Sequence, residues 1–113
     1  MLAADNRLRK QNDFDRLYQT GRTISGPLFN VRWVNNGLAD SRFGVVVSKN
    51  TAKLATRRNR IKRKVRAGLK GFLVGIKGGL DIVIIIKRPA LDKEYTEIKE
   101  ELGKIFKKAR LLK

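Results

Sequence analysis

Residues 81–87 read Asp-Ile-Val-Ile-Ile-Ile-Lys, five consecutive β-branched aliphatic residues between an acid and a base. A strand that is apolar without alternation is typical of a position covered on both faces, as in the middle of a sheet. Pro89 follows at once and cannot continue the hydrogen-bonded ladder. We therefore predict a central strand over residues 81–87 and arrange the other elements around it.

The first third of the chain predicts a short helix followed by a strand. Residues 12–15 (Asn-Asp-Phe-Asp) suit a helix N-cap with acids in the first turn, and Gly21 suits a left-handed C-terminal cap. Aromatic and β-branched residues then alternate with polar ones over residues 29–33. This period of two predicts a half-buried strand that places Trp33 in the core.

Residues 35–41 form the predicted joint between this strand and another over residues 43–47. The Asn-Asn-Gly sequence at its start tolerates positive φ, so we expect a hairpin-like loop and an antiparallel strand pair. Asp40 is the only carboxylate of the loop. Since hard cations need several oxygen ligands, we expect no tight protein-only metal site there.

The last segment predicts an amphipathic helix. Its apolar residues recur at helical spacing: Tyr95, Ile98, Leu102, Ile105, Phe106 and Ala109. Acids come early and cations late, which matches the helix dipole. We expect residues 1–113 to form a single α+β domain with helices packed on a mostly antiparallel sheet.

The composition points to a polyanion as partner. The 113 residues include 27 Lys+Arg and 10 Asp+Glu, giving a formal charge of +17 at pH 7. The sequence has neither Cys nor His. Cysteine nucleophiles, imidazole acid–base catalysis and the usual zinc sites are therefore excluded.

Membrane association is not predicted. The longest aliphatic run covers residues 82–86, whereas a membrane span needs roughly 20 apolar residues, and residues 1–10 lack the apolar core of a signal peptide. We expect a cytoplasmic protein that binds nucleic acid in preference to acidic lipid headgroups.

Between Asp40 and Asp81 the sequence holds twelve basic residues and no acid. Four apolar residues within this block recur at i, i+4, i+8 and i+11, which predicts a helix with one narrow buried stripe: Ile61, Val65, Leu69 and Phe72. The opposite face carries Asn59, Lys62, Arg63, Arg66 and Lys70. Like charges at i and i+4 repel, so this face favours a phosphate-bearing partner.

The basic helix also carries a specific motif. Six residues fill the pattern Ala-x-x-Arg-Asn-x-x-Lys-Arg-x-x-Arg: Ala55, Arg58, Asn59, Lys62, Arg63 and Arg66. Further motifs are Phe-x-x-x-Tyr-x-x-Gly over residues 14–21, Gly-Val-Val-Val-Ser-Lys over residues 44–49, and the strand with its Arg-Pro extension over residues 81–89. In this order they resemble the bacterial ribonuclease P protein component over nearly the whole chain.

The resemblance implies an α-β-β-β-α-β-α two-layer sandwich. Its sheet would be four-stranded and mixed, with an extra edge strand around residues 22–25. A left-handed β-α-β crossover would contain the basic helix, whereas the general rule for such units predicts a right-handed one. The same fold occurs in the second domain of a small-subunit ribosomal protein.

The function implied is that of the protein subunit of ribonuclease P. The partners would be the catalytic RNA and precursor tRNA, with no obligate protein partner and no membrane. The RNA and the Mg²⁺ that it binds would hydrolyse the phosphodiester and release the 5′ leader. This chain would contribute no catalytic side chain and no protein-only metal site, while the loop of residues 35–41 is associated in the family with metal or tRNA contacts.

Two binding surfaces follow from the resemblance. The catalytic RNA would contact Arg58, Asn59, Arg60, Lys62, Arg63, Arg66 and Lys70. A cleft between the first helix and the sheet would bind single-stranded leader through Phe14, Tyr18, Arg32, Lys49 and Lys53. Arg32 stands where relatives have an aromatic residue, and Arg58 lies near the apolar stripe, where it would also brace the helix.

Alternatives remain at this level. Phe14, Leu17 and Tyr18 share a helix face and would equally suit the protein core. A ribosomal protein or general RNA chaperone would have the same charge without needing the ordered motifs. A nuclease acting alone would need carboxylates such as Asp13 and Asp15, whose positions helix capping also explains.

Overall fold

The computed structural model describes residue 8 and residues 10–113. In chain order its elements are α1 (Gln11–Thr20), β1 (Arg22–Ser25), β2 (Phe29–Asn35), β3 (Arg42–Val46), α2 (Ala55–Lys70), β4 (Leu80–Ile86) and α3 (Tyr95–Lys108). A short 3₁₀-helix, Arg88–Asp92, follows β4 where Pro89 ends the strand. The α-β-β-β-α-β-α order is confirmed.

The four strands form one mixed sheet in the order β1-β2-β4-β3. β4 pairs antiparallel with β2 and parallel with β3, so it is the central strand that its sequence predicts. Ile82, Val83 and Ile84 are completely buried, which shows that both faces of β4 are covered. β1 pairs antiparallel with β2 and is the expected edge strand.

The expected pairing of β2 with β3 is wrong, because β4 lies between them. β4 has more apolar surface to bury on both faces than either neighbour, and the interior of the sheet buries it. β2 and β3 are therefore two strand spacings, about 10 Å, apart. Residues 36–41 bridge this gap, with Gly37 at a φ of 73°. α2 then connects β3 to β4 as a crossover between adjacent parallel strands.

Helices lie on both faces of the sheet. The larger core holds Ile82 and Ile84 of β4 together with Leu102 of α3 and the buried stripe of α2. On the other face Leu17 of α1 packs on Val83. Because side chains alternate along a strand, α1 and the α2/α3 layer lie on opposite faces. No helix in the described part of the chain is long and apolar enough to cross a membrane.

α1 begins slightly earlier than its sequence predicts. Lys10 is the N-cap residue and provides no side-chain hydrogen bond, so the predicted cap within residues 12–15 is wrong. Asp13 does lie in the first turn, but its carboxylate is 3.3 Å from Nη1 of Arg42 on β3. Asp13 therefore pairs with Arg42 of the sheet and does not cap α1.

The predicted left-handed cap at Gly21 is also wrong. Gly21 has extended backbone, with φ −71° and ψ 148°. A Cβ at this position would lie 2.4 Å from the carbonyl oxygen of Leu17. Glycine is required here because a side chain would meet the carbonyl oxygens of Leu17, in the last turn of α1, and of Trp33 on β2.

Gly21→Ala should therefore destabilise the fold. The backbone must shift to admit the methyl group, so we expect the free energy of unfolding to fall by about 1–3 kcal/mol in urea titrations. Gly75→Ala is the matched control, since a Cβ there meets its nearest atom at an ordinary 3.6 Å. Equal unfolding midpoints for the two variants would contradict the close approach.

Candidate nucleic-acid interface

α2 buries the predicted stripe and leaves its opposite face open. Ile61, Val65 and Leu69 are at most 1% exposed. Phe72, the fourth predicted member, lies beyond the end of the helix at Lys70. Its ring instead packs edge-to-face on Phe106 with the centroids 5.6 Å apart.

Apart from Thr56 and Arg58, the polar residues of α2 fall into two groups. Within residues 8 and 10–113, one group makes no hydrogen bond or ion pair through its side chains: Asn59, Arg60, Lys62, Arg63, Arg66 and Lys70. Lys62 and Arg66 are half-buried and the other four are exposed. These six belong to the predicted set for the catalytic RNA, and they form what we call the α2 basic face.

The second group holds α2 in place. Nη2 of Arg57 lies 2.9 Å from Oδ1 of Asp92, and Nζ of Lys64 donates to the carbonyl of Lys93 at 3.1 Å. Both contacts attach α2 to the segment between β4 and α3. These two cations are turned away from the α2 basic face and engaged within the protein.

Arg58, also in the predicted set, is used within the protein. Its Nη1 donates to the carbonyls of Ala52 and Lys53, at 2.8 Å each. The guanidinium thereby fixes the segment that enters α2, as the position of Arg58 beside the stripe suggests. Its substitution should affect helix stability as well as binding.

The second candidate surface is the face of the sheet that α1 partly covers. Phe14 packs on Gly44 so closely that a Cβ added to Gly44 would be 2.9 Å from the Phe14 ring. Tyr18, one turn later, is 41% exposed. The guanidinium carbon of Arg32 lies 5.5 Å from the centroid of the Tyr18 ring, within cation–π range. The structure thus brings Phe14, Tyr18 and Arg32 together, with Tyr18 the more open aromatic.

An open row of side chains continues the cleft beyond α1. In the sheet register Asn30 is opposite Ile85, which is opposite Val46, and all three are half-buried. The adjacent row runs across the strands from Arg32 through Val83 to Gly44, and it is the row next to α1. We call the three residues the open row. Strand alternation gives their face, but their alignment depends on the register, which the sequence did not predict.

Lys49 and Lys53 connect the two surfaces. Both are exposed in the segment between β3 and α2. β3 runs parallel to β4, so this segment leaves the sheet at the end where the open row lies. The two predicted lysines therefore lie between the cleft and the start of α2, and the cationic surface continues from one to the other.

The carboxylates of this region are engaged in structural contacts. Arg42 binds Asp81 through two hydrogen bonds of 2.8 and 2.7 Å and also pairs with Asp13. Asp15 accepts a 2.9 Å hydrogen bond from Nε2 of Gln11. Among the described residues no three potential metal-ligating side chains cluster. The carboxylates considered for a nuclease acting alone therefore serve the fold in this structure.

Comparisons with known proteins cover almost all of the chain. The Ribonuclease P family model matches residues 2–110. A ribonuclease P protein component of Pseudanabaena sp. is 36% identical over 113 residues, which are 99% of this chain and 97% of the relative. One from Clostridium botulinum is 34% identical over 106 residues, covering 93% and 95% of the two chains.

Solved structures share the fold as well. The RNase P protein of Staphylococcus aureus superposes with a TM-score of 0.86 at 32% identity, covering 96% of this chain and 98% of that one. A mutant of the S. aureus protein with defective mRNA degradation activity gives a TM-score of 0.88 at 31% identity, with coverages of 96% and 91%. For the Thermotoga maritima protein the TM-score is 0.82 at 31% identity, with coverages of 90% and 96%. Sequence and fold agree that this chain belongs to the ribonuclease P protein family and is a protein component of that tRNA-processing enzyme.

Proposed function

We propose that the chain binds the catalytic RNA of ribonuclease P through the α2 basic face and so promotes removal of the 5′ leader from precursor tRNA. The observation that carries this proposal is the division of α2, in which Arg57 and Lys64 have protein partners but the α2 basic face has none among the described residues. Like charges along a helix are unfavourable. An RNA backbone supplies the counter-charge and gains affinity by releasing its own counter-ions.

The cleft is proposed to hold the single-stranded leader. The exposed Tyr18 ring offers a stacking surface for an unpaired base, and Arg32 adds a charge beside it. Oδ1 of Asn30 and Nε of Arg32 are buried without a hydrogen-bond partner in the described part of the chain. Polar groups at the floor and an aromatic side wall suit a nucleotide, and stacking accepts any base.

In this proposal the chemistry belongs to the RNA and the Mg²⁺ bound to it. The two carboxylates beside Arg42 do not fit a resident Mg²⁺ site, because Asp81 is buried against that guanidinium and Asp13 pairs with it. We therefore assign no step of hydrolysis to a side chain of this protein. Its residues would position the RNA and the leader, and the proposal includes a cytoplasmic location, where precursor tRNA would be its substrate.

The test is cleavage of a precursor tRNA at low Mg²⁺ by a bacterial ribonuclease P RNA, with and without this protein. We expect the protein to convert a nearly inactive RNA into a site-specific enzyme. An unrelated basic protein serves as control, and rescue no better than this control would favour a general RNA chaperone. Lanes with protein alone on precursor tRNA and on mRNA test for a nuclease activity of the chain itself.

Tyr18→Ala should weaken leader binding selectively. Loss of one stacked base costs about 1–3 kcal/mol, so we expect affinity for precursor tRNA to fall roughly 5- to 150-fold in the assembled enzyme. Tyr95→Ala is the matched control, because Tyr95 is 38% exposed but lies on α3, away from the cleft. Affinity for mature tRNA, which has no leader, should not change. An equal loss for both substrates would remove Tyr18 from the leader site.

A further inference from the structure

A groove of about 580 Å³ lies between the end of α2 and the outer side of α3. Its floor is formed by the Phe72 ring and the backbone of Gly103, where a Cβ would lie 3.2 Å from the ring. Glycine within a helix is less favourable than alanine. At Gly103 it allows the aromatic ring to lie against α3, and the groove acquires an apolar base.

The charges of α3 are sorted between its two sides. Lys99 and Lys107 line this groove, whereas Glu97 and Glu101 line a different one, beside residues 27–28. Glu100, between the two sides, borders both grooves. Within the described part of the chain, neither Lys99 nor Lys107 has an ion pair. The side of α3 next to α2 is therefore its cationic side.

This cationic side continues the α2 basic face. Lys70 is the exposed last residue of α2. The side chain of Lys99 passes next to Gly71, and its Nζ lies 3.6 Å from the position that a Cβ on Gly71 would take. Lys107 lies two turns further along α3. A strip of positive charge thus extends from α2 across Gly71 into the groove, and the acids of α3 limit it on the far side.

We propose that this groove is a second RNA contact, in which phosphates of a single-stranded segment bind Lys99 and Lys107 and an unpaired base rests on the floor at Phe72. The inference rests on the proposed function, since it extends the surface that binds the catalytic RNA. Charge complementarity selects the occupant, because free lysines flank an apolar floor. An acidic peptide could also pair with these lysines, but it would not explain why the positive charge of the groove is continuous with the α2 basic face.

Adjacent lysines of α3 provide a matched experiment. Lys107 lies on the groove side, and Lys108, about 100° further round the helix, lies on the side of Glu97 and Glu101. We would compare Lys99→Gln/Lys107→Gln with Lys93→Gln/Lys108→Gln, which remove the same charge. Binding to ribonuclease P RNA is measured as a function of salt for both variants and for the unmodified protein.

For the groove variant we expect about a 10-fold loss of affinity at moderate salt and a salt slope reduced by about 1.4, as two lost single-strand phosphate contacts require. The control variant should match the unmodified protein. Equal RNA affinities and equal salt slopes for the two variants would overturn the proposal that the groove binds RNA. The variant Arg60→Glu/Arg63→Glu tests the proposed function separately from the groove. If this variant binds the RNA normally, the proposed function itself fails. If this variant loses binding and the groove variant does not, only the proposal for the groove is wrong.

Discussion

Arg60→Glu/Arg63→Glu should reduce affinity for ribonuclease P RNA by about 100-fold or more at 0.15 M salt, because two phosphate contacts become two repulsions. Both guanidiniums are exposed and have no protein partner among the described residues. The repulsion acts over a screening length of about 8 Å at this ionic strength. Rescue of precursor-tRNA cleavage at low Mg²⁺ should be lost at protein concentrations that saturate the unmodified RNA–protein complex.

The control must change the net charge equally. Lys93→Glu/Lys108→Glu also replaces two cations by two acids, so both variants carry 17 − 4 = +13 instead of +17. General attraction to a polyanion is therefore the same in both. A comparable loss in the control would show that total charge governs binding, as in a general RNA chaperone, and would remove the α2 basic face as a specific site.

Thermal unfolding separates binding from folding. Arg60 and Arg63 are exposed and make no side-chain hydrogen bond or ion pair within the described structure, so the double variant should melt close to the unmodified protein. Arg58→Ala should behave differently, since its guanidinium holds the carbonyls of Ala52 and Lys53. A lower melting temperature together with weaker RNA binding is expected for that variant, and its binding loss alone could not assign a direct contact.

The elements with strong local patterns could be predicted from the sequence. The Ile-Val run of β4, the stripe of α2 and the amphipathic pattern of α3 each depend on residues close together in the chain, and the structure confirms them. Strand order is a different kind of property. The Asn-Asn-Gly segment predicted a local turn correctly at Gly37, but the insertion of β4 between β2 and β3 depends on competition for the interior of the sheet.

The sites show the same division. Residue type and spacing place six cations and an amide of the motif region on α2, but only the three-dimensional contacts show that Arg58 is used internally. The open row of Asn30, Ile85 and Val46 comes from three strands that are aligned only by the register. The role of Gly21 likewise depends on a close approach of backbone that no sequence pattern reveals.

Asp81→Asn is expected to cause the largest loss of stability among conservative substitutions in this protein. Asp81 is 1% exposed and accepts hydrogen bonds from Nε and Nη2 of Arg42 at 2.8 and 2.7 Å and from Nδ2 of Asn36 at 3.0 Å. The hydrogen bonds to Asp81 raise the pKa of Arg42, so this pairing favours its charged guanidinium. An amide at position 81 keeps the shape but leaves that charge without its main partner.

We expect the free energy of unfolding to fall by about 2–4 kcal/mol, somewhat less than for a fully buried pair, because the Arg42 side chain keeps 20% exposure. Asp92→Asn is the matched control. It removes the same charge from an ion pair with Arg57 whose side chains are 49% and 84% exposed, which should change stability by less than about 1 kcal/mol. Urea titration of both variants makes the comparison, and equal losses would show that burial of Asp81 contributes nothing.

The same substitution should also distinguish the two binding surfaces. Arg42 links Asp81 of β4 to Asp13 of α1, so the network helps to hold α1 over the cleft. The α2 basic face lies on the opposite layer and has no contact with this network among the described residues. At a temperature where Asp81→Asn is folded, affinity for precursor tRNA should fall toward that for mature tRNA, while affinity for the catalytic RNA stays unchanged. Parallel loss of both affinities would mean that the network supports the whole domain and does not position α1 in particular.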